Sequence, residues 1–224
     1  MLSRKGCFLL LILIVVSVSS CASDISTRKD IAPVQEKQPL SVKEQQNEAL
    51  RIFKRILEVR RKAKTSEEAV RKIEPMYLEI INKYPDAPLA QESCLRLIEL
   101  YLRDYTPPAT EKAELIYKTF RERYPQSILK GTVERTLTKF FYSLKMWNRI
   151  IDLHRERIKR FIETGNIDDP YYLFVFSEAR YNTGNITEAV KGYKWIIKKF
   201  PDSHDAKLSE RRLKEIFLKD KGDQ

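Results

Sequence analysis

The stretch Ala189-Val190-Lys191-Gly192-Tyr193-Lys194-Trp195-Ile196-Ile197-Lys198-Lys199-Phe200-Pro201-Asp202-Ser203 decides the reading of this chain. Its apolar residues recur at helical spacing, and a small residue, Ala189, precedes an aromatic, Tyr193, by one turn. Phe200-Pro201 then stops the helix, because proline has no amide to donate and its ring crowds the preceding turn. The same punctuation recurs at Ala113, Tyr117 and Tyr124-Pro125-Gln126-Ser127. It recurs again at Tyr77 and Tyr84-Pro85-Asp86-Ala87, with Ile73 in place of the small residue. Repetition at a fixed period predicts an array of helix pairs, each burying its apolar face against its neighbours.

The interval between the second and last copies fits the same period. Counting back from Phe161-Ile162 as though it were an aromatic-proline stop puts His154 at the aromatic position and Ile150 at the small one. Stops at 85, 125, 162 and 201 are then about 40 residues apart, so a degenerate unit is expected there and not a domain boundary. His154 becomes a core residue on this alignment.

Working outward, Ser41-x-x-Glu44 and Thr65-x-x-Glu68 read as capping boxes, opening helices that run to about Lys64 and to Tyr84. Pro75 lies inside the second and is expected to kink or split it. Ala87-Pro88 starts a further helix. Thr106-Pro107 reads as a cap with proline at the first helical position, and Ser127 as the cap of the helix after that. Gly165-Asn166 closes the helix from Trp147, and Asp168-Asp169-Pro170 opens another. Tyr171-Tyr172-Leu173-Phe174-Val175-Phe176 alone could pass for a strand, but its place between two stops argues for a helix. Residues 203–219, with a very polar outer face, suit a terminal capping helix.

The N-terminus carries Arg4 and Lys5, then the apolar run Phe8 to Val16, then small residues up to Cys21. That run is too short to span a bilayer and reads as a secretory signal over 1–20. Val18-Ser19-Ser20-Cys21 resembles a bacterial lipobox, which implies cleavage before Cys21 and acylation of its thiol. An ordinary signal peptide with a coincidental cysteine is the other reading. Several acyl chains anchor a protein stably without spanning the membrane. Ala22 and Ser23 follow the cysteine, where Asp is common in lipoproteins kept in the inner membrane; the resemblance implies the outer membrane, facing the periplasm. The polar segment 21–40 is expected to be a flexible tether, and 41–221 the repeat domain.

The chain has 42 Lys and Arg against 31 Asp and Glu, a net charge of +11, and losing the signal leaves it strongly basic. Outside the cytoplasm that balance suits anionic headgroups, wall polymers or acidic proteins, and nucleic acid is not expected. Of the three cysteines only Cys94 would remain free, on the apolar stripe Ala90, Cys94, Leu97, Ile98, Tyr101, where a small core residue is expected.

Gly184, Ala189, Tyr193 and Pro201 match the second half of a tetratricopeptide repeat, with Leu173, Phe176 and Ser177 at the large, large and small positions of its first half. Arg180 departs from the usual aromatic. The longer period and the Tyr-Pro stops, clearest at Tyr84-Pro85-Asp86-Ala87-Pro88-Leu89-Ala90, resemble the lipoproteins of the outer-membrane β-barrel assembly machinery (BamD type). The resemblance covers roughly residues 66–206. It implies an all-α, right-handed solenoid of about four antiparallel helix pairs with a C-terminal capping helix. It also implies a scaffold or adaptor that binds envelope proteins or peptide segments, among them those of outer-membrane protein assembly.

In such solenoids the first helices of each pair line a concave face, and the alignment puts Tyr171, Phe174, Glu178 and Tyr181 there, either as anchors for a partner or as packing against neighbouring helices. A second surface, Arg51, Lys54, Arg55, Arg60, Arg61 and Lys62, is either a solvated helix face or a basic patch near the anchor. The patch is the basis of an alternative reading: an envelope lipoprotein that binds cell wall or anionic lipid through basic helices, including 155–160, as an accessory to division, pilus or secretion systems. Enzyme chemistry is not expected. His154 and His204 lack triad or ligand partners at suitable spacing, no phosphate-binding glycine loop is present, and Glu67-Glu68 and Asp168-Asp169 sit at helix starts. No metal, cofactor or small-molecule substrate is expected beyond the lipid on Cys21.

Overall fold

Three helix ends share one backbone geometry. Tyr84, Tyr124 and Phe200 each close a helix with φ/ψ of −129/52, −127/56 and −132/53°, and each still donates its amide one turn back, to Ile80, Phe120 and Ile196. The proline after each cannot extend that pattern, and the chain reverses through a second bond. The amides of Ala87, Ser127 and Ser203 return to the carbonyls of Tyr84, Tyr124 and Phe200 at 3.1, 3.1 and 2.9 Å. The aromatic-proline stop is therefore a local structure written into the sequence, and one copy braces another, since the Tyr124 hydroxyl donates to the Pro85 carbonyl at 2.8 Å.

The computed structural model describes residues 39–222, and the expected signal peptide 1–20, the lipidated Cys21 and nearly all of the tether lie outside them. Among the described residues the fold is all-helical, with no strand: α1 (Val42–Lys62), α2 (Ser66–Lys83), α3 (Pro88–Arg103), α4 (Thr110–Arg123), α5 (Lys130–Ser143), α6 (Trp147–Thr164), α7 (Pro170–Asn182), α8 (Ile186–Lys199) and α9 (His204–Gly222). None of these is long and apolar enough to cross a membrane.

Local chemistry accounts for most boundaries. Ser41 and Glu44 form a reciprocal capping box, Thr65 accepts from the Glu68 amide, Asp169 from that of Tyr171 and Asn185 from that of Glu188. Gly165 ends α6 in the left-handed region at φ 70°, where a Cβ would be strained. Three expectations are corrected. Of the kink or split expected at Pro75 the split does not occur, since α2 runs unbroken through the exposed proline. Thr106-Pro107 is a cis peptide in the loop before α4, which begins at Thr110. The pair Phe161-Ile162 is no stop, because without a proline α6 continues to Thr164 and ends on the glycine.

Every unit nevertheless seats its pair in the core. Ile73, Ala113, Ile150 and Ala189 are fully buried, and Tyr77, Tyr117, His154 and Tyr193 nearly so. Helices pack on their successors except at α4 and α5, and α1 packs on α3, α3 on α5 and α7 on α9. The closest approach of α7 and α8 depends on Gly192: a Cβ there would lie 2.0 Å from Ser177 Oγ and 3.3 Å from its Cβ. Around α5 the helices are tied by long side chains. Tyr117 of α4 reaches Glu134 at 2.9 Å, Tyr142 reaches Glu178 of α7 at 3.1 Å, and Arg135 reaches Asp169 at 2.5 Å.

Candidate functional site

Three carboxylates sit between helices, each held by tyrosine hydroxyls and a cation. Glu178 of α7 is fully buried and accepts from Tyr193 of α8 at 2.6 Å, from Tyr142 of α5 at 3.1 Å, and from Nε and Nη2 of Arg212 of α9 at 2.7 and 2.5 Å. Glu134 of α5, 5 % exposed, accepts from Tyr117 and, at 2.5 Å, from Arg157 of α6. Glu74 of α2 accepts from Tyr101 at 2.8 Å, Lys112 at 2.9 Å and Tyr105. A buried charge this well partnered couples the elements that meet on it. The partners respond accordingly. Burial and the adjacent Glu178 push the Tyr193 phenol far above its ordinary range, and the hydrogen bonds to Glu178 raise Arg212. Glu74 stays below the ordinary glutamate value: partial burial, its largest influence, would raise it, but the bonds from Tyr105, Lys112 and Tyr101 together outweigh that.

His154 is 1 % exposed and belongs to the same interior. The Thr138 hydroxyl donates to the Glu134 carbonyl at 2.7 Å, so it accepts from His154 Nε2 at 2.8 Å, which leaves Nδ1 without a partner. Burial, with Arg157 nearby, lowers the imidazole to about 3, so it is neutral at physiological pH. Cys94 is likewise enclosed, and burial lifts its thiol to about 12.

A cleft of about 590 Å³ opens where α3, α5 and α7 come together. Its length is set by one stripe of α5, Thr132, Arg135, Thr136, Lys139 and Ser143, at helical spacing. Leu102 and Arg103 of α3 form one wall, Tyr172 of α7 another, and Phe140 adds an apolar surface. Ile128, 95 % exposed, stands at the edge. Arg103, Arg135 and Lys139 give the cleft a positive potential, and among the described residues no carboxylate lines it. Arg135 is braced from outside by Asp169 and by the ring of Tyr171, whose centroid is 4.6 Å away. Burial pushes the Tyr171 phenol up to about 12, so it remains a neutral platform for that guanidinium.

The four residues aligned to a concave face therefore separate. Tyr171 stays half-buried beside the cleft, and Tyr181 is half-buried under Arg212, 5.7 Å from its ring. Phe174 is 9 % exposed and packs near Tyr193, and Glu178 is sealed by Arg212, so neither lines an open surface. Charge explains the difference: α9 delivers an arginine to this face of α7, and the carboxylate closes on it. Of the basic residues of α1, Arg51 pairs with Glu48 and Arg60 with Asp104, while Lys54, Arg55, Arg61 and Lys62 are exposed. Arg103, Arg135, Lys139 and Tyr172 had no advance notice, although the polar and basic periodicity of 132–143 was visible in the sequence. No protein-family model matches this chain, and no curated protein matches it.

Proposed function

We propose that this chain is a membrane-anchored scaffold of the cell envelope, a right-handed tetratricopeptide-type solenoid attached through a lipid on Cys21. It holds a segment of a partner protein in the cleft between α3, α5 and α7. The observation that carries this reading is the cleft itself: side chains of α3, α5 and α7 supply its walls, Arg103, Arg135 and Lys139 among them, and among the described residues no carboxylate lines it, Asp169 holding Arg135 from outside. The matching stop geometry of α2, α4 and α8 supports the repeat reading, and the lipobox-like Val18 to Cys21 supports the address. The protein binds and does not catalyse, in keeping with a neutral, enclosed His154 and a thiol far from ionisation at Cys94. The partner segment is extended and acidic, with an apolar side chain for Phe140 and Leu102. By resemblance, outer-membrane protein assembly is the leading setting.

A photo-crosslinker at Thr132 or Ser143 in living cells tests this. The expected product is a defined set of envelope proteins, lost when Arg135→Ala and Lys139→Ala are combined and retained with a crosslinker at Lys214 as background. Crosslinks independent of those cations, or measurable turnover by the purified protein, would overturn the proposal. Separately, Cys21→Ala is expected to abolish fatty-acid labelling, and continued labelling would remove the anchor.

A further inference from the structure

We infer that the outer face of α1 is a docking surface for an anionic lipid bilayer, independent of the cleft. Single exposed aliphatic side chains are ordinary, but on α1 several fall close together and in line with cations. Leu50 and Leu57 are 42 and 55 % exposed, and Leu40 and Val42 just before them are 45 and 56 % exposed. Leu50, Lys54, Leu57 and Arg61 follow one another at alternating four- and three-residue steps, so they form a single line along α1. Arg55 and Lys62 lie further round the helix, both on one side of that line. The opposite side of the helix carries Gln45, Ala49, Ile52 and Ile56 into the core, and Arg60, turned towards that side, is engaged by Asp104. Lys54, Arg55, Arg61 and Lys62 form no ion pair among the described residues; against Glu58, exposed between them, they leave this side of α1 net positive, with two leucines along its centre.

Two properties of the chain select lipid as the occupant. The charge is complementary to anionic headgroups, while the leucines are spaced to enter the boundary between headgroups and acyl chains, the pattern of helices that lie in an interface. The length of chain also fits. Residues 22–41 lie between Cys21 and the start of α1, enough to let the helix reach the surface to which the lipid is fixed. The inference rests on the anchored reading only for that second argument. Docking of α1 converts a tethered domain into an oriented one, because a single acyl-bearing point leaves rotation free and a helix laid on the surface removes it.

The test uses the full acylated chain in vesicles, with an environment-sensitive dye on Asn47→Cys, an exposed uncharged position one turn before Leu50. Cys94 is buried and its thiol raised, so it does not compete for the label. In phosphatidylcholine vesicles containing phosphatidylglycerol the dye is expected to shift to the blue and to be quenched by bilayer-embedded quencher, and high salt is expected to reverse both effects. In phosphatidylcholine alone neither effect is expected, and a dye on Glu210→Cys should respond in neither. Replacing Lys54, Arg55, Arg61 and Lys62 by Gln should weaken the response at least tenfold, and Leu50→Ser with Leu57→Ser should remove the quenching. All these side chains are exposed, so circular dichroism should be unchanged. An identical response in both vesicle types, or one that survives the Gln variant, overturns the inference. Failure of the protein to associate with phosphatidylcholine vesicles at all would count against the anchor and leave the comparison on anionic vesicles to decide the α1 face.

Discussion

Helices α5 and α7 both carry a line of polar side chains, but the molecule closes over that of α7 and leaves that of α5 open. On α7, Glu178 meets Arg212 from α9 and two tyrosine hydroxyls, and Phe174 is buried beside it. On α5, Arg135 and Lys139 look into a cleft with no lining carboxylate. Glu178 is drawn into the interior by Arg212 and becomes a joint, whereas Arg103 and Lys139 stay exposed without an ion-pair partner among the described residues, and Asp169 holds Arg135 beside them. Helix α5 makes the same kind of buried joint through Glu134 and Arg157, so what separates it from α7 is the line of cations that it also turns to the cleft.

The sharpest way to break this comparison is Glu178→Ala. It strands Arg212 and the hydroxyls of Tyr142 and Tyr193, and unfolding in urea should show a loss of about 3–5 kcal/mol. If stability is kept and partner crosslinking falls, α7 is the binding face after all. Gly192→Ala comes next, because its new Cβ meets Ser177 within a buried seam, and a loss of roughly 1–3 kcal/mol in the same measurement is expected.

The pH dependence follows from His154. Its folded value, about 3, lies below the ordinary 6.5, so between these limits the unfolded chain binds the extra proton. Stability from this group is complete above that window and is lost as pH falls through it, on the order of 2 kcal/mol by about pH 5. His154→Phe should flatten that part of a denaturation profile. Glu74, held low in the folded protein, adds a second loss only as pH falls below the ordinary glutamate range. The smallest stability effect belongs to the open side of the comparison. Lys139→Ala should change stability by less than about 0.5 kcal/mol while weakening partner capture severalfold. A large stability loss there would make the cleft a structural feature.

How far the sequence could be read depends on the range of the forces involved. Helix starts at Ser41, Thr65, Asp169 and Asn185, and stops at Tyr84, Tyr124 and Phe200, rest on bonds within one turn of chain, so residue types alone determined them. His154 was placed in the interior by the period of the repeats, and the burial of Ile150 beside it follows the same rule. The misjudged boundaries at Thr106-Pro107 and Phe161-Ile162 were also local, but there two signals competed, and the absence of a proline at 162 let α6 continue.

The candidate site was less legible. Its stripe on α5 is periodic in the sequence, yet any exposed helix shows such a stripe, and only the positions of α3 and α7 make it the floor of a cleft. Glu178 is the converse case. The chain itself placed it on a helix face, and Arg212, 34 residues away, decided that the face would be closed. Sequence determined where helices begin and end, because capping and proline sterics act over a few residues. Tertiary structure decided which side chains are sealed and which are offered, because desolvating a charge depends on partners brought from elsewhere in the chain.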